Sequence, residues 1–232
     1  MIYCLGLLLA PVDASPWNAN EGTLADKALA MDGRNEWITA RRLAEELLQD
    51  DPRSYTGHHV LGRAFWKGEG DFARAEYHLK KALEIYEEEY ESTEDPPWRL
   101  ESEALWSLRI VTGDMGNFEG ELALIDAYND KQSEYIERFD SGYNHLVAER
   151  GWPLMKLGRY EEAQFWARAG VEEESSWQKS LGWNVLCATA GEMGQREASF
   201  ENCSSAFEHA KETGAGISAA GKADQCRTGC CR

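Results

Sequence analysis

The residue types best suited to chemistry in this chain are histidine, cysteine and clustered glutamate. His58 and His59 are adjacent and His78 follows twenty residues later. On a helix, neighbouring side chains diverge by about 100°, and no set of His and Cys here stands at a recognised zinc spacing. These histidines therefore read as structural. Cys226, Cys230 and Cys231 form a C-x3-C-C cluster with no histidine nearby, which favours disulfides or free tail thiols over a metal site. The densest charge block runs from Glu84 to Glu91 and on through Glu94-Asp95. A calcium loop needs a sharp glycine turn between spaced carboxylates, whereas this run reads as a solvated helix. Gly68-Glu69-Gly70 lacks the strand and lysine of a phosphate loop, and no serine sits in a nucleophile elbow. The expectation is a non-enzyme with no cofactor and no metal.

Composition narrows the class further. The chain has 232 residues, 43% of them apolar, which is enough for a continuous core. Nine tryptophans are far too many for a disordered acidic segment. The formal net charge of −17 repels nucleic acid and anionic lipid and favours basic partners or plain solubility. No nucleic-acid role is expected.

The first residues fit an export signal in part. Met1 to Val12 is almost wholly apolar, and Val12-Asp13-Ala14 supplies small residues at a cleavage site. The run is too short to span a bilayer, so no membrane insertion is expected once residues 1–14 are removed. No Lys or Arg precedes the apolar run, which leaves two readings open: a periplasmic or secreted chain beginning near Ser15, or a cytoplasmic one. Cys187, Cys203 and the three tail cysteines suit an oxidising compartment, although their number is odd.

Along the chain, one turn recurs. It is clearest in Leu157-Gly158-Arg159-Tyr160-Glu161-Glu162-Ala163. It returns as Gly33-Arg34-Asn35-Glu36-Trp37, Gly70-Asp71-Phe72, Met115-Gly116-Asn117-Phe118 and Met193-Gly194-Gln195. Apolar spacing is helical on both sides of each copy. In the second copy His58, Leu61, Gly62 and Phe65 stand at the spacing W-x2-L-G-x2-Y, followed by Ala75, Leu79 and Ala82 on one helical face. In the first, Trp37, Ala40, Ala44 and Leu47 lead to Asp51-Pro52, where proline ends the helix.

These motifs resemble the tetratricopeptide repeat, over about Glu21 to Gly214. The resemblance implies an all-α fold, a right-handed α-solenoid of about five antiparallel helix pairs. The repeat domain is expected over 15–213, with units near 21–54, 55–95, 102–140, 144–177 and 180–213, and a small-residue, Cys-containing tail at 214–232. Successive starts at Glu21, Tyr55, Ser102, Asn144 and Ser180 differ by 34, 47, 42 and 36 residues, so some second helices overrun the family period of 34. Gly62 and Gly151 should face Ala75 and Ala163 across their own hairpins. The third unit departs most, with Arg109 in the small-residue position and Glu121 where alanine is expected. Cys187 and Cys203 occupy small or inward positions of the last unit, as a disulfide pair if the chain is exported and as core thiols otherwise.

With His58, Leu61, Gly62 and Phe65 inward, the opposite stripe of that helix carries His59, Arg63 and Trp66. The same phase selects Trp106, then His145 and Trp152, then Asn184. These residues are expected to line a concave groove that binds a protein or peptide segment. Two readings stay open for the aromatics: partner-facing, or covered by neighbouring units as ordinary core. The alternative function is a structural or regulatory repeat region of a larger or oligomeric assembly, self-associating at its carboxyl end.

Overall fold

A computed structural model describes residues 22–94 and 96–213. The apolar run at 1–14, Cys4 and the tail with Cys226, Cys230 and Cys231 lie outside the described residues. Those residues fall into two compact units, 22–144 and 145–213. They hold ten α-helices and no strand. In the first unit α1 (Leu24–Gly33) packs on α2 (Trp37–Asp50), α3 (Tyr55–Ala64) on α4 (Phe72–Glu89), and α5 (Trp98–Asp114) on α6 (Phe118–Phe139). α2 also packs on α3, and α4 on α5. In the second unit α7 (Gly151–Lys156) packs on α8 (Tyr160–Glu172) and α9 (Ser176–Glu192) on α10 (Arg196–Thr213), with α8 against α9. No described helix is long and apolar enough to cross a membrane.

Local chemistry sets the helix starts. The hydroxyl of Thr23 accepts from the Asp26 amide while the Asp26 carboxylate accepts from the Thr23 amide, a reciprocal capping box. Ser54, Asp71, Asn117 and Ser175 accept from the amides three residues on, each satisfying a donor that the first helical turn leaves without a partner. The fifth pair thus begins at Ser176 rather than near Ser180, and the third at Trp98, just after Pro96-Pro97, rather than near Ser102. The fourth pair opens late. Its chain is irregular from Ser141 to Val147, makes a 3-10 turn at Ala148–Arg150, and becomes α-helical only at Gly151. Pro153, lacking an N–H, is tolerated there because it lies in the first turn. The overrunning second helices are real: α4 has 18 residues and α6 has 22, against 13 in α8.

The repeated turn has a fixed geometry. Asn35, Gly70, Gly116, Gly158 and Gly194 all take positive φ, the conformation that reverses a chain after a helix and that glycine or asparagine adopts at least cost. In four pairs this residue follows the buried position of the first helix by seven: Ala28 to Asn35, Arg109 to Gly116, Gly151 to Gly158, Cys187 to Gly194. From Gly62 to Gly70 the interval is eight. The extra residue is absorbed by Phe65–Glu69, which wind as a single π-helical turn at the end of α3, the usual form of a one-residue insertion into a helix.

Close approach within the pairs partly departs from the expected partners. A Cβ on Gly62 would stand 2.6 Å from Leu79 Cγ and 3.2 Å from the Ala75 carbonyl, so Gly62 does face α4. Gly151 faces α9 instead of Ala163: a Cβ there would come within 2.6 Å of Val185. The tight contact of the fourth pair is Gly170 against Ala148, and that of α8 with α9 is Gly182 against the Ala167 carbonyl, at 2.4 Å in each case. α7 itself still packs on α8, so the close approach of the fourth pair is made at its 3-10 turn rather than at Gly151. Cys187 and Cys203 stand 4.9 Å apart at Cα and are disulfide-bonded across α9 and α10.

The two misfit residues of the third pair meet each other. Arg109 donates to the Glu121 carboxylate at 3.1 Å, both side chains nearly buried, and Gly113 leaves the space into which that carboxylate fits. Burial raises the Glu121 carboxyl and Arg109 holds it down. A pair of charges thus stands in the third hairpin where a missing Cβ makes room at Gly62 in the second and at Gly170 in the fourth. Removing one partner strands the other, so Arg109→Ala or Glu121→Ala alone should cost about 3 kcal/mol or more. A double-mutant cycle by urea unfolding should show the two losses falling short of additivity by about 1–3 kcal/mol; additive losses would mean that the pair is not coupled.

Candidate functional site

One face of the first unit gathers charged and aromatic side chains from four elements. Arg63 Nε lies 2.9 and 2.8 Å from the two carboxylate oxygens of Asp32 in the last turn of α1, and its guanidinium comes within 3.5 Å of Ser107 Oγ on α5. One side chain therefore ties three first helices together. Where α3 passes into its π-turn, Trp66 donates its indole N–H to Asp114 at 3.0 Å and meets Trp106 edge-to-face at 6.3 Å. Lys67 Nζ sits over two indoles, 4.8 Å from Trp66 and 5.4 Å from Trp37, an attraction between cation and ring face. Burial, then the Arg63 charge, lowers Lys67 to about 8, with Asp32 partly opposing. No carboxylate lies within ion-pair distance of Lys67.

The stripe read from the sequence divides in two. Arg63, Trp66 and Trp106 share this face. His59 does not: it is only 2% exposed, stacked on Tyr55 at 5.7 Å, with the Glu103 main chain beside it. The helical phase is as expected, but α5 covers the half of the stripe on which His59 lies. In the second unit His145 is exposed and its carbonyl accepts from Gln178. Trp152 is half-buried on α7, and Asn184 donates to the Ser180 carbonyl of its own helix at 2.7 Å.

Other residues of consequence carry no signal in the sequence pattern. Lys67 and Asp32 belong to no motif, although the eight-residue interval from Gly62 to Gly70 is there to be counted. Two buried glutamines hold the irregular backbone. Gln132 accepts from the Tyr143 amide at 2.7 Å and donates to Ser102 Oγ at 2.8 Å. Gln178 accepts from the Ala148 amide and donates to the Glu149 carboxylate, both at 2.8 Å. His58 and His78 pair through Nδ1 atoms 2.9 Å apart, and His58 Nε2 lies 3.2 Å from the Pro52 carbonyl. A carbonyl can only accept, so His58 Nε2 carries the proton and neutral His58 accepts at Nδ1 from His78. Among the described residues no three His, Cys, Asp or Glu side chains are grouped to hold a metal ion.

No family model matches the chain, and no curated protein matches it. Solved structures do. The chain is similar to YrrB, described as a TPR protein with an unusual peptide-binding site, at a TM-score of 0.56 and 16% identity over 80% of this chain and 84% of that one. It is similar to MamA of AMB-1 at 0.61 and 14%, over 82% and 99%. A putative kinesin light chain of Podosopora anserina with TPR-like repeats matches at 0.59 and 16%, over 86% and 98%. At these identities the likeness is one of fold.

Burial of the neutral histidines makes the fold acid-sensitive. Desolvation, reinforced by Arg63, lowers His59 to about 3, and desolvation with His58 and Arg74 lowers His78 to about 4. Histidine in the unfolded chain titrates near 6.5. As pH falls below that value the unfolded state takes up protons first, so this stability is fully present above pH 6.5 and is lost on acidification towards pH 3. Glu101, Glu103 and Glu121, raised chiefly by desolvation, act in the opposite sense. Comparing wild type with His59→Phe cancels their effect. Between pH 7.5 and 4.5 the wild type should lose about 3 kcal/mol more than the variant in urea unfolding; equal losses would show that His59 is not held neutral.

Proposed function

We infer that this chain, a divergent tetratricopeptide-like helical repeat protein, binds a protein or peptide segment on the face built by Arg63, Trp66, Lys67 and Trp106. The observation that carries the reading is the state of the two tryptophans. They are half-buried and edge-to-face at 6.3 Å, and Trp66 is oriented at the surface by donating its indole N–H to Asp114. Folding alone does not require large indole faces to be fixed at the surface, whereas interfaces draw most of their energy from such pre-oriented aromatic anchors. Arg63, spent on Asp32 and Ser107, supports the floor of the site. In the second unit, taken by itself, His145, Trp152 and Asn184 are proposed as further partner-binding residues. Catalysis has no part in it.

A second reading is favoured by three other side chains. Phe165, Trp177 and Phe200 of the second unit are each about 60% exposed, which supports self-association within a larger or oligomeric assembly. A concentration-independent monomer mass by light scattering would exclude it. Export is also part of this proposal, supported by the apolar run at 1–14 and by the Cys187–Cys203 bond, since such bonds persist in oxidising compartments. In native material, intact mass with and without reductant and alkylation should show a chain beginning near Ser15 with that pair oxidised. A full-length chain with every thiol free would remove the case.

For the binding face, a partner captured from native extract should lose about 2 kcal/mol or more of affinity with Trp106→Ala, and a similar amount with Trp66→Ala. Circular dichroism should remain helical and the melting temperature should fall only modestly. Unchanged affinity with a sharply lowered melting temperature would make these residues core.

A further inference from the structure

The π-turn of α3 places a cation of the chain itself between two aromatic faces. Without the extra residue between Gly62 and Gly70, the end of α3 would follow the seven-residue interval of the other pairs. With it, Lys67 lies over the Trp37 ring of α2 while Trp66 meets Asp114 and Trp106 of α5, and Gly68 comes so close to Trp37 that a Cβ would stand 2.7 Å from the Trp37 Cβ. The helix gives up regular hydrogen bonding at this point, and such irregularities concentrate at functional positions. What the irregularity builds here is a seat: the Trp37 and Trp66 faces, with Trp106 edge-on beside them and the Asp114 carboxylate on the Trp66 indole N–H.

We propose that this seat recognises an arginine side chain of the partner segment, which enters by displacing Lys67. The proposal rests on the reading of this face as the binding surface and names what it reads. Indole faces attract cations, and a chain of net charge −17 draws basic segments towards it. Lys67 is a poor permanent occupant. Its ammonium is strongly hydrated in water, yet here it is partly desolvated, near the Arg63 charge and with no carboxylate at ion-pair distance, and its lowered affinity for a proton reflects that. A guanidinium is planar, more weakly hydrated and stacks on indoles. The exchange conserves charge: a guanidinium enters, and the Lys67 ammonium swings out on its flexible four-carbon stem to regain water. Lys67 is thus an internal stand-in that keeps the site closed to uncharged side chains.

The probe is N-acetyl-L-argininamide, with N-acetyl-L-citrullinamide as its uncharged isostere, followed by tryptophan fluorescence. Lys67→Met and Lys67→Ala should each bind the arginine compound about tenfold more tightly than wild type, as expected for the loss of a competing cation–ring contact. The citrulline compound should show no saturable binding, and Trp37→Leu should abolish the gain in the Lys67→Met background. In wild type, the side-chain protons of Lys67, shifted upfield by the indole rings, should move towards their solvent values in NMR as the arginine compound is added. That measurement decides the matter if both Lys67 variants fail to fold. No gain in the variants, equal binding of the citrulline compound, or a Lys67 signal that does not move would overturn the proposal. These measurements need no natural partner. Should the seat bind arginine while Trp106→Ala leaves partner affinity unchanged, the broader reading of this face fails and the seat stands.

Discussion

Two helices can lie side by side only if their backbones come close at some point, and the packed helices of this chain differ in how that point is made. At Gly62, Gly170 and Gly182 a missing Cβ makes the room. Seven residues beyond the inward position, in four of five pairs, the chain turns back through a residue of positive φ. The interval sets where the second helix starts, and so which of its side chains meet the first. In the pair where the interval is eight, the mismatch is confined to one π-turn. The register of α4 is kept and the irregularity emerges on the surface.

Most of this architecture is legible in the amino-acid sequence, because turns and helix periods are local properties. The recurring glycine or asparagine turns and the alanines at Ala40, Ala75 and Ala163 mark the second helices without any knowledge of tertiary contacts. The features that escape are those set by what lies across a gap. His59 follows the same periodicity as Arg63, and only the placement of α5 decides that one is sealed and the other ends on Asp32. Gly151 obeys the repeat pattern yet stands against Val185 of α9, a contact that depends on where α9 is placed. In the face proposed for binding, the positions of Trp66 and Trp106 follow from helical phase. Lys67 follows only from the inserted residue, which a fixed repeat template passes over.

The interior is more polar than that of a simple helical repeat, and the polarity is placed where regularity fails. Buried backbone that is neither helix nor strand must still satisfy its amides. Gln132 does so for Tyr143, and Gln178 for Ala148, each glutamine being wholly enclosed and bonded at both ends of its amide group. Glu101 receives the Tyr135 hydroxyl in the same spirit, joining α5 to α6. Longer connections and longer helices than the family period are therefore accommodated by side chains that stand in for missing main-chain partners.

The Arg109–Glu121 contact constrains how these two positions can change. An exposed position of a repeat can vary one substitution at a time. Here a chain that keeps one charge and puts a small residue in place of the other leaves that charge buried without its counter-ion, so a charged pair and a small pair stand on opposite sides of a valley. Passing between them one step at a time takes a chain stable enough elsewhere to survive the first change. The two residues behave as a single heritable unit rather than as two independent letters.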